Sequence, residues 1–491
     1  MNFSMKAPQS LFINNTWVKT SESEDVINPA TEEIIGHAPV GNCDLVSAAI
    51  GAAREAFDTG VWPRMHAGER KAYLQKLHAA IMARKEDFLE IIVAEAGATT
   101  QVAQFQFFMP MLHAQGTLDV MDRDPMSSLA VELNPSPAGG TVLGGGVMVR
   151  EPVGVVSAIT PYNFPHYLNL SKVFQALAAG CTVVLKPSPY TPFEALLLAE
   201  AAESAGLPKG IFNVVTGGRE VGEILSTDPR VDIVSFTGSD TVGAAIQAQA
   251  APSLKRVLLE LGGKSAMIVR EDANLDIALR SGLSGFTFHA GQGCALLTRH
   301  LVHNSVRQEY VEKISGMAKA VKVGNPIDPT VTMGPLIRAA QRQRTEDYVA
   351  IALDEGAKLA TGGKRPDALE RGFYYEPTLF VDVENSWRIA QEEVFGPVGV
   401  VIGFDTDEEA IELANDSQFG LGGAIISTDT GRAFEMAREI RTGKVDINAG
   451  AGKPLSQAPF GGIKRSGYGR EYGVEGIDEY SYIKTIQYRG A

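Results

Sequence analysis

Val153-Gly154-Val155-Val156-Ser157-Ala158-Ile159, followed by Thr160-Pro161-Tyr162-Asn163-Phe164-Pro165, decides the fold: a β-rich run ends in a turn whose asparagine stands between two prolines. More β-rich runs follow at Val183 to Leu185, Phe212 to Val215, Ile233 to Phe236 and Val257 to Leu259, alternating with helical segments. That alternation predicts a parallel sheet wrapped by right-handed crossovers. A second alternating set begins at Ala266 and includes His300 to His303, Val398 to Phe404, Ala424 to Ile426 and Val445 to Ile447. Two α/β domains are expected, with Cys294 between them in sequence. Upstream, apolar residues spaced by three and four predict helix from Cys43 to Phe57 and from Ala67 to Val93. The first ~25 residues read as a polar lead-in, and Asn28-Pro29-Ala30-Thr31 as a turn. From Ser127 to Val149, two Gly/Pro-rich stretches flank β-branched pairs, which suits a protruding hairpin arm. Phe460 to Gly473 reads as glycine-rich loop and Tyr480 to Tyr488 as a last strand.

Composition narrows the function. At 491 residues and 45% apolar, the chain has material for two or three domains. Met1 to Trp17 interleaves Asn, Ser, Lys and Gln, so no signal peptide is expected, and no window is apolar enough for a membrane span. Three scattered cysteines (Cys43, Cys181 and Cys294) argue against a disulfide framework and for a reducing cytoplasm. No Cys/His cluster has metal spacing. A net charge of −14 disfavours nucleic acid, which is bound through basic faces. A small-molecule ligand is expected.

Three residues carry reactive chemistry. Cys294 closes Phe288-His289-Ala290-Gly291-Gln292-Gly293-Cys294, and Gly291 and Gly293 strip bulk from both sides of its sulfur. A thiol of pKa ~8.5 becomes a better nucleophile when a positive charge or a helix N-terminus lowers that value. Glu260, at a strand end in Glu260-Leu261-Gly262-Gly263-Lys264, can activate water if a partly apolar site raises its pKa. The Asn163 side-chain amide and the Cys294 backbone N–H can hold a tetrahedral alkoxide, and losing one such donor costs ~100- to 1,000-fold in rate. Read alone, Glu260 is a salt-bridged strand end and Asn163 a turn residue. Cys181 reads as inert packing and Cys43 as a helix-edge residue. The dinucleotide fingerprint G-x-G-x-x-G is missing where a Rossmann domain would carry it. In its place Ser235-Phe236-Thr237-Gly238-Ser239-Asp240 runs from a strand into a helix, whose N-terminus can hold a pyrophosphate with Ser239 as an added donor. An ordinary capped turn is the plainer alternative. Lys186, after Val183-Val184-Leu185, stands where open α/β sheets bind ligands and can reach a ribose hydroxyl or a phosphate, unless it is simply solvated.

From about residue 12 to 488 the chain resembles the aldehyde dehydrogenase superfamily, on the Asn163, Glu260 and Cys294 motifs in their order and on Asn28-Pro29-Ala30-Thr31, Asn415-Asp416-Ser417-Gln418-Phe419-Gly420-Leu421 and Pro459-Phe460-Gly461-Gly462-Ile463-Lys464-Arg465-Ser466-Gly467. The resemblance implies an α/β fold with a Rossmann-like cofactor domain (1–126 and 150–260), a second α/β catalytic domain (261–466) and a β-hairpin oligomerisation arm with the tail (127–149 and 467–491). It implies oxidation of an aldehyde to the acid with NAD, NADP also being admitted, through a cysteine thiohemiacetal and a thioester. Lys172 and Glu471 match positions of a proton relay. Thr160, Tyr162, Lys186, Gly238, Ser239 and Gly262 match cofactor positions, and Gln391-Glu392-Glu393-Val394-Phe395-Gly396-Pro397 looks like the nicotinamide clamp, through Glu393 and Phe395. Phe164, Tyr167, Leu168, Ser171, Phe288, Gly293, Ala295, Pro454 and Phe460 align with the substrate tunnel. Small residues at 171, 293 and 295 imply a wide, apolar tunnel for bulky aromatic or branched aliphatic aldehydes.

Departures from the family pattern keep other readings open. Pro189 replaces a glutamate that grips the adenosine ribose and repels a 2′-phosphate, which leaves NAD against NADP undecided. His289 replaces an asparagine and fills its structural place; a Cys294/His289 hydrolase dyad is the minor alternative and lacks an orienting third group. A carboxylated semialdehyde finds no arginine in the tunnel. A CoA-acylating relative would lack Glu260, and a catalytically silent binding protein on this fold would not need all three residues. The arm and last strand, as exposed edges, suit a homodimer or homotetramer.

Overall fold

The computed structural model describes residues 6–123 and 125–489. Residues 1–5 of the lead-in and of the stretch read for a signal peptide, residue 124 beside the arm, and residues 490–491 of the tail lie outside the described residues. Eight strands form the larger sheet, in the order Thr16–Val18, Leu11–Ile13, Phe212–Val214, Thr182–Lys186, Val155–Ile159, Ile233–Thr237, Arg256–Glu260 and Gly467–Tyr468. The five central strands are parallel, and the flanking Leu11–Ile13 and Gly467–Tyr468 are antiparallel. Alternate side chains face opposite layers. Val156, Ala158, Val183 and Leu185 pack under the helices Pro165–Ala179 and Phe193–Ser204, whereas Val155, Val184, Val234 and Leu259 pack against Cys43–Asp58, Arg219–Thr227 and Asp240–Ala250. Chain progression reverses between Val155–Ile159 and Ile233–Thr237, and such a switch point opens a crevice at the carboxyl ends of the strands. Thr160 and Gly238 lie on its two sides.

Seven strands build the second sheet: Lys358–Thr361, Thr378–Val381, Val398–Phe404, Arg299–His303, Ala266–Val269, Gly422–Ile426 and Lys444–Ile447, all parallel except the first. Met126–Ser128 and Glu132–Pro135 pair with the long strand Thr141–Pro152, whose other edge carries the terminal strand Ser481–Arg489. Leu133, Ile483, Ile486 and Tyr488 stand exposed on this ribbon. No described helix is long and apolar enough to cross a membrane.

Two expectations are corrected. The stretch read as a lead-in contains two strands of the main sheet, Leu11–Ile13 and Thr16–Val18: Leu11, Phe12 and Ile13 are buried, and Asn14 and Asn15, at φ 51° and 56°, make the tight turn between them. Asparagine tolerates that left-handed conformation, so the pair Asn14-Asn15 was the overlooked hairpin signal. The glycine-rich stretch Phe460 to Gly473 is not all loop either, because Ile463–Lys464 pairs with Phe419–Gly420 and Gly467–Tyr468 closes the edge of the main sheet beside Glu260.

Candidate active site

The helix Leu275–Thr287 runs into a turn in which His289, Ala290 and Gly291 are all left-handed, at φ 49°, 53° and 72°. Histidine and alanine in that region each cost about 1–3 kcal/mol, so surrounding bonds must hold the turn. Gln292 does so: its fully buried amide donates to His289 O at 3.1 Å and accepts from Ile337 N at 3.0 Å. The expectation for Gly291 needs revising. A Cβ there would lie 2.0 Å from Gly396 O, so this glycine permits a backbone crossing instead of opening the sulfur to approach. A Cβ on Gly293 would meet the Leu296 side chain at 2.8 Å. His289 is buried, burial pulls its imidazole down to about 4, and no hydrogen bond joins it to Cys294.

Cys294 emerges half-buried from this turn. Asn163 comes to it from the other domain: its Nδ2 donates to Gln292 O at 2.9 Å, one residue from Gly293, which leaves the second N–H of the amide uncommitted. Gln106 Nε2 donates to Asn163 O at 3.2 Å and steadies the turn from below. The thiol environment differs from expectation. Burial raises the Cys294 thiol to about 12, the Glu393 and Glu260 carboxylates add to the effect, and only its own backbone N–H acts oppositely. No cation activates the sulfur at rest.

Glu260 ends its strand buried, with neither carboxylate oxygen bonded to protein. Burial first and the Glu471 carboxylate second push it well above the ordinary carboxylate range, against Lys172 and Arg470. Glu471 is bonded to Lys172 Nζ at 2.8 Å, and the same ammonium donates to Ser235 Oγ at 3.2 Å. Glu260, Glu471 and Lys172 therefore form one buried group of ionisable side chains.

A cleft of about 670 Å³ leads away from Cys294 along the strand ends. Tyr162, Gly238, Ser239, Gly262, Glu393 and Phe395 line it. Glu393 Oε1 accepts from Gly263 N at 3.0 Å, and burial raises the carboxyl to about 7. Gly262 is required beside it, since a Cβ would sit 2.4 Å from Glu393 Oε2. Ser239 caps the helix Asp240–Ala250 by accepting from Val242 N at 3.3 Å, so the capped turn and the cleft wall are one feature. Lys186 is buried at its strand end, donates to Pro187 O at 3.2 Å and is lowered to about 8; it lies outside this cleft, behind Thr160, whose N–H donates to Lys186 O. Volume and lining suit a dinucleotide: the cleft takes in a helix start, a buried carboxylate, and two aromatic rings, Tyr162 and Phe395, 6.1 Å apart.

On the far side of Cys294, Phe164, Tyr167 and Phe288 gather around Phe105, a residue the sequence did not single out. Phe105 lies 5.3 Å from Phe288, 6.2 Å from Tyr167 and 6.4 Å from Phe164. It is 40% exposed on the helix Thr100–Val120, and only contact with the other rings marks it. Leu168 and Ser171 are buried one turn along, whereas Phe460 lines a separate recess of about 250 Å³ with Ala295.

Residues 17–486 match the model of the aldehyde dehydrogenase family. The chain belongs to that family. Geranial dehydrogenase of Castellaniella defragrans is 39% identical over 98% of this chain and 99% of its own length, and betaine aldehyde dehydrogenase of Bacillus subtilis is 38% identical over 97% of each. Betaine aldehyde dehydrogenase of Staphylococcus aureus, solved with NAD+, superposes with a TM-score of 0.94 at 37% identity, covering 98% of this chain and 95% of that one. This aldehyde dehydrogenase is thus an enzyme that oxidises an aldehyde with NAD(P)+ through a cysteine intermediate. Gln292, which holds the Cys294 turn, and Gln106, which holds the Asn163 turn, were invisible as functional residues because their partners are backbone atoms, and those at Ile337 and Asn163 are far away in sequence.

Proposed function

We propose that this aldehyde dehydrogenase turns bulky apolar aldehydes, aromatic or branched aliphatic, into free carboxylic acids. The supporting observation is the meeting of Cys294, Asn163 and Glu260 between the dinucleotide-sized cleft and the Phe105, Phe164, Tyr167 and Phe288 rings. The Cys294 thiol gives its proton to water in the cleft, its Sγ adds to the carbonyl carbon, and the alkoxide lies against the free Asn163 Nδ2–H and the Cys294 N–H. NAD(P)+, when bound, supplies the hydride acceptor. Tyr162, Gly238, Ser239, Gly262, Glu393 and Phe395 would hold it in the cleft, and Thr160 and Lys186, which do not line the cleft, would back its wall. Glu260 then takes a proton from the water that hydrolyses the thioester, and its raised pKa suits a base working near neutrality. Lys172 and Glu471 pass that proton on.

The two sheets and the exposed ribbon support assigning 1–126 with 150–260 to cofactor, 261–466 to catalysis and 127–149 with 467–491 to assembly, although Gly467–Tyr468 pairs with the larger sheet and Glu471 with Lys172. NAD is the favoured cofactor, and Pro189 offers no carboxylate against a 2′-phosphate. A second reading has the same four rings holding a quaternary ammonium aldehyde by cation–π attraction, in keeping with the betaine aldehyde relative. Specificity constants for benzaldehyde, a branched aliphatic aldehyde, betaine aldehyde and acetaldehyde, each with NAD and NADP, test both. A preference for acetaldehyde sinks the tunnel argument, and a preference for betaine aldehyde selects the second reading.

A further inference from the structure

Beneath the Thr160–Phe164 turn runs a buried polar chain whose members beyond Thr160 none of these roles uses. Glu194, in the first turn of the helix Phe193–Ser204, is fully buried together with His166 and Asn169 of the helix Pro165–Ala179. Its Oε1 accepts from His166 Nδ1 at 2.7 Å and its Oε2 accepts from Asn169 Nδ2. Asn169 Oδ1 in turn accepts from the Thr160 hydroxyl. The His166 ring sits between Phe88 and Phe107, with centroids 4.7 and 5.3 Å away, and its Nε2 has no partner, so the proton sits on Nδ1 and is donated to Glu194. Glu95, also buried, accepts from Phe193 N at 3.0 Å and Glu194 N at 3.3 Å and fixes that helix start.

An apolar trio could fill this volume without the cost of burying a carboxylate, so the polar set must do something that depends on direction. What it directs is the turn carrying Asn163. The helix Pro165–Ala179 starts at Phe164, which has no side-chain cap, so apart from the fixed φ of Pro165 no side chain at the helix start holds the turn. Thr160 before Asn163, and His166 and Asn169 after it, all end on Glu194.

We propose that Glu194 is a positioning residue for aldehyde oxidation: through His166, Asn169 and Thr160 it holds the Asn163 amide in register with the Cys294 turn. The inference builds on Asn163 serving as an oxyanion donor. Misplacing such a donor by about 1 Å costs on the order of a hundredfold in rate.

Exchanging carboxylate and amide across the contact tests it. In Glu194→Gln, two amides meet donor to donor, or Asn169 turns over and releases the Thr160 hydroxyl, or the His166 proton moves to Nε2, where a buried N–H is left without an acceptor. In Asn169→Asp, two carboxylates face each other. In the double variant every bond has a partner again: the new aspartate accepts from Thr160 and from the Gln amide, whose oxygen accepts from His166. The burst rate of reduced cofactor is compared for the native enzyme, both single variants, the double variant and Asn163→Ala, with cofactor affinity followed separately by fluorescence titration. Each single variant should slow the burst about tenfold or more at unchanged cofactor affinity, and the double variant should recover most of the loss. Single variants that keep a native burst, or a double variant slower than both, overturn the inference. A native burst in Asn163→Ala overturns the oxyanion reading beneath it, and a slow burst there with a native Glu194→Gln overturns only the positioning role.

Discussion

Replacing Glu260 by Gln separates the two halves of the reaction. The Glu260 carboxyl is buried without a protein hydrogen bond, so the isosteric amide breaks no visible contact and removes only a base. A positioned general base contributes ~100- to 10,000-fold, so the steady-state rate should fall by that factor, about 3–5 kcal/mol of barrier. Acylation should survive, because the Glu260 charge raises the Cys294 thiol and its loss makes the sulfur, if anything, easier to ionise. Rapid mixing of Glu260→Gln with saturating cofactor and aldehyde should give about one equivalent of reduced cofactor per active site, then a stall. The pH profile adds a second check. A base whose pKa is raised acts only above that value, so native turnover should climb with pH along a limb that disappears in the variant. Stability follows the same sign: a carboxyl raised in the folded state favours folding fully below its unfolded pKa, ~4.3, and loses that contribution as pH rises through the folded value. The variant should therefore gain Tm over the native enzyme at neutral and alkaline pH and not in acid. Loss of the burst, or steady turnover within a few-fold of native, would refute the assignment of Glu260 to the water step.

Three other outcomes are expected. Gly262→Ala puts a methyl 2.4 Å from Glu393 Oε2 and must displace that carboxylate, so cofactor affinity measured by fluorescence titration should weaken about tenfold, ~1.4 kcal/mol; native affinity would remove Glu393 from the cofactor site. Glu393→Gln removes a carboxylate that raises the thiol, so alkylation of Cys294 by iodoacetamide at fixed neutral pH should run about tenfold faster, and an unchanged rate would show that burial alone sets the thiol. With Ile483, Ile486 and Tyr488 exposed on the terminal strand, light scattering at micromolar concentration should report a dimer or tetramer, and a monomer would reject the arm as an assembly element.

The repeating β-rich runs and their intervening helical stretches were enough to call for parallel sheets, because burial between helix layers demands such runs whatever the tertiary detail. Asn163, between two prolines, and Glu260, at a strand end, were singled out as positions where a reactive side chain can be presented, and Cys294 by its glycine-flanked run. Tertiary structure decided the rest. The strand order that opens the crevice depends on which parallel strands pair, and local pattern is blind to pairing. The high thiol pKa comes first from burial and then from Glu393 and Glu260, 99 and 34 residues from Cys294 along the chain, and both causes arise only on folding. Phe105, Gln292 and the Glu194 chain do their work through partners distant in sequence, and a contact between two folded elements leaves no mark on either stretch read alone.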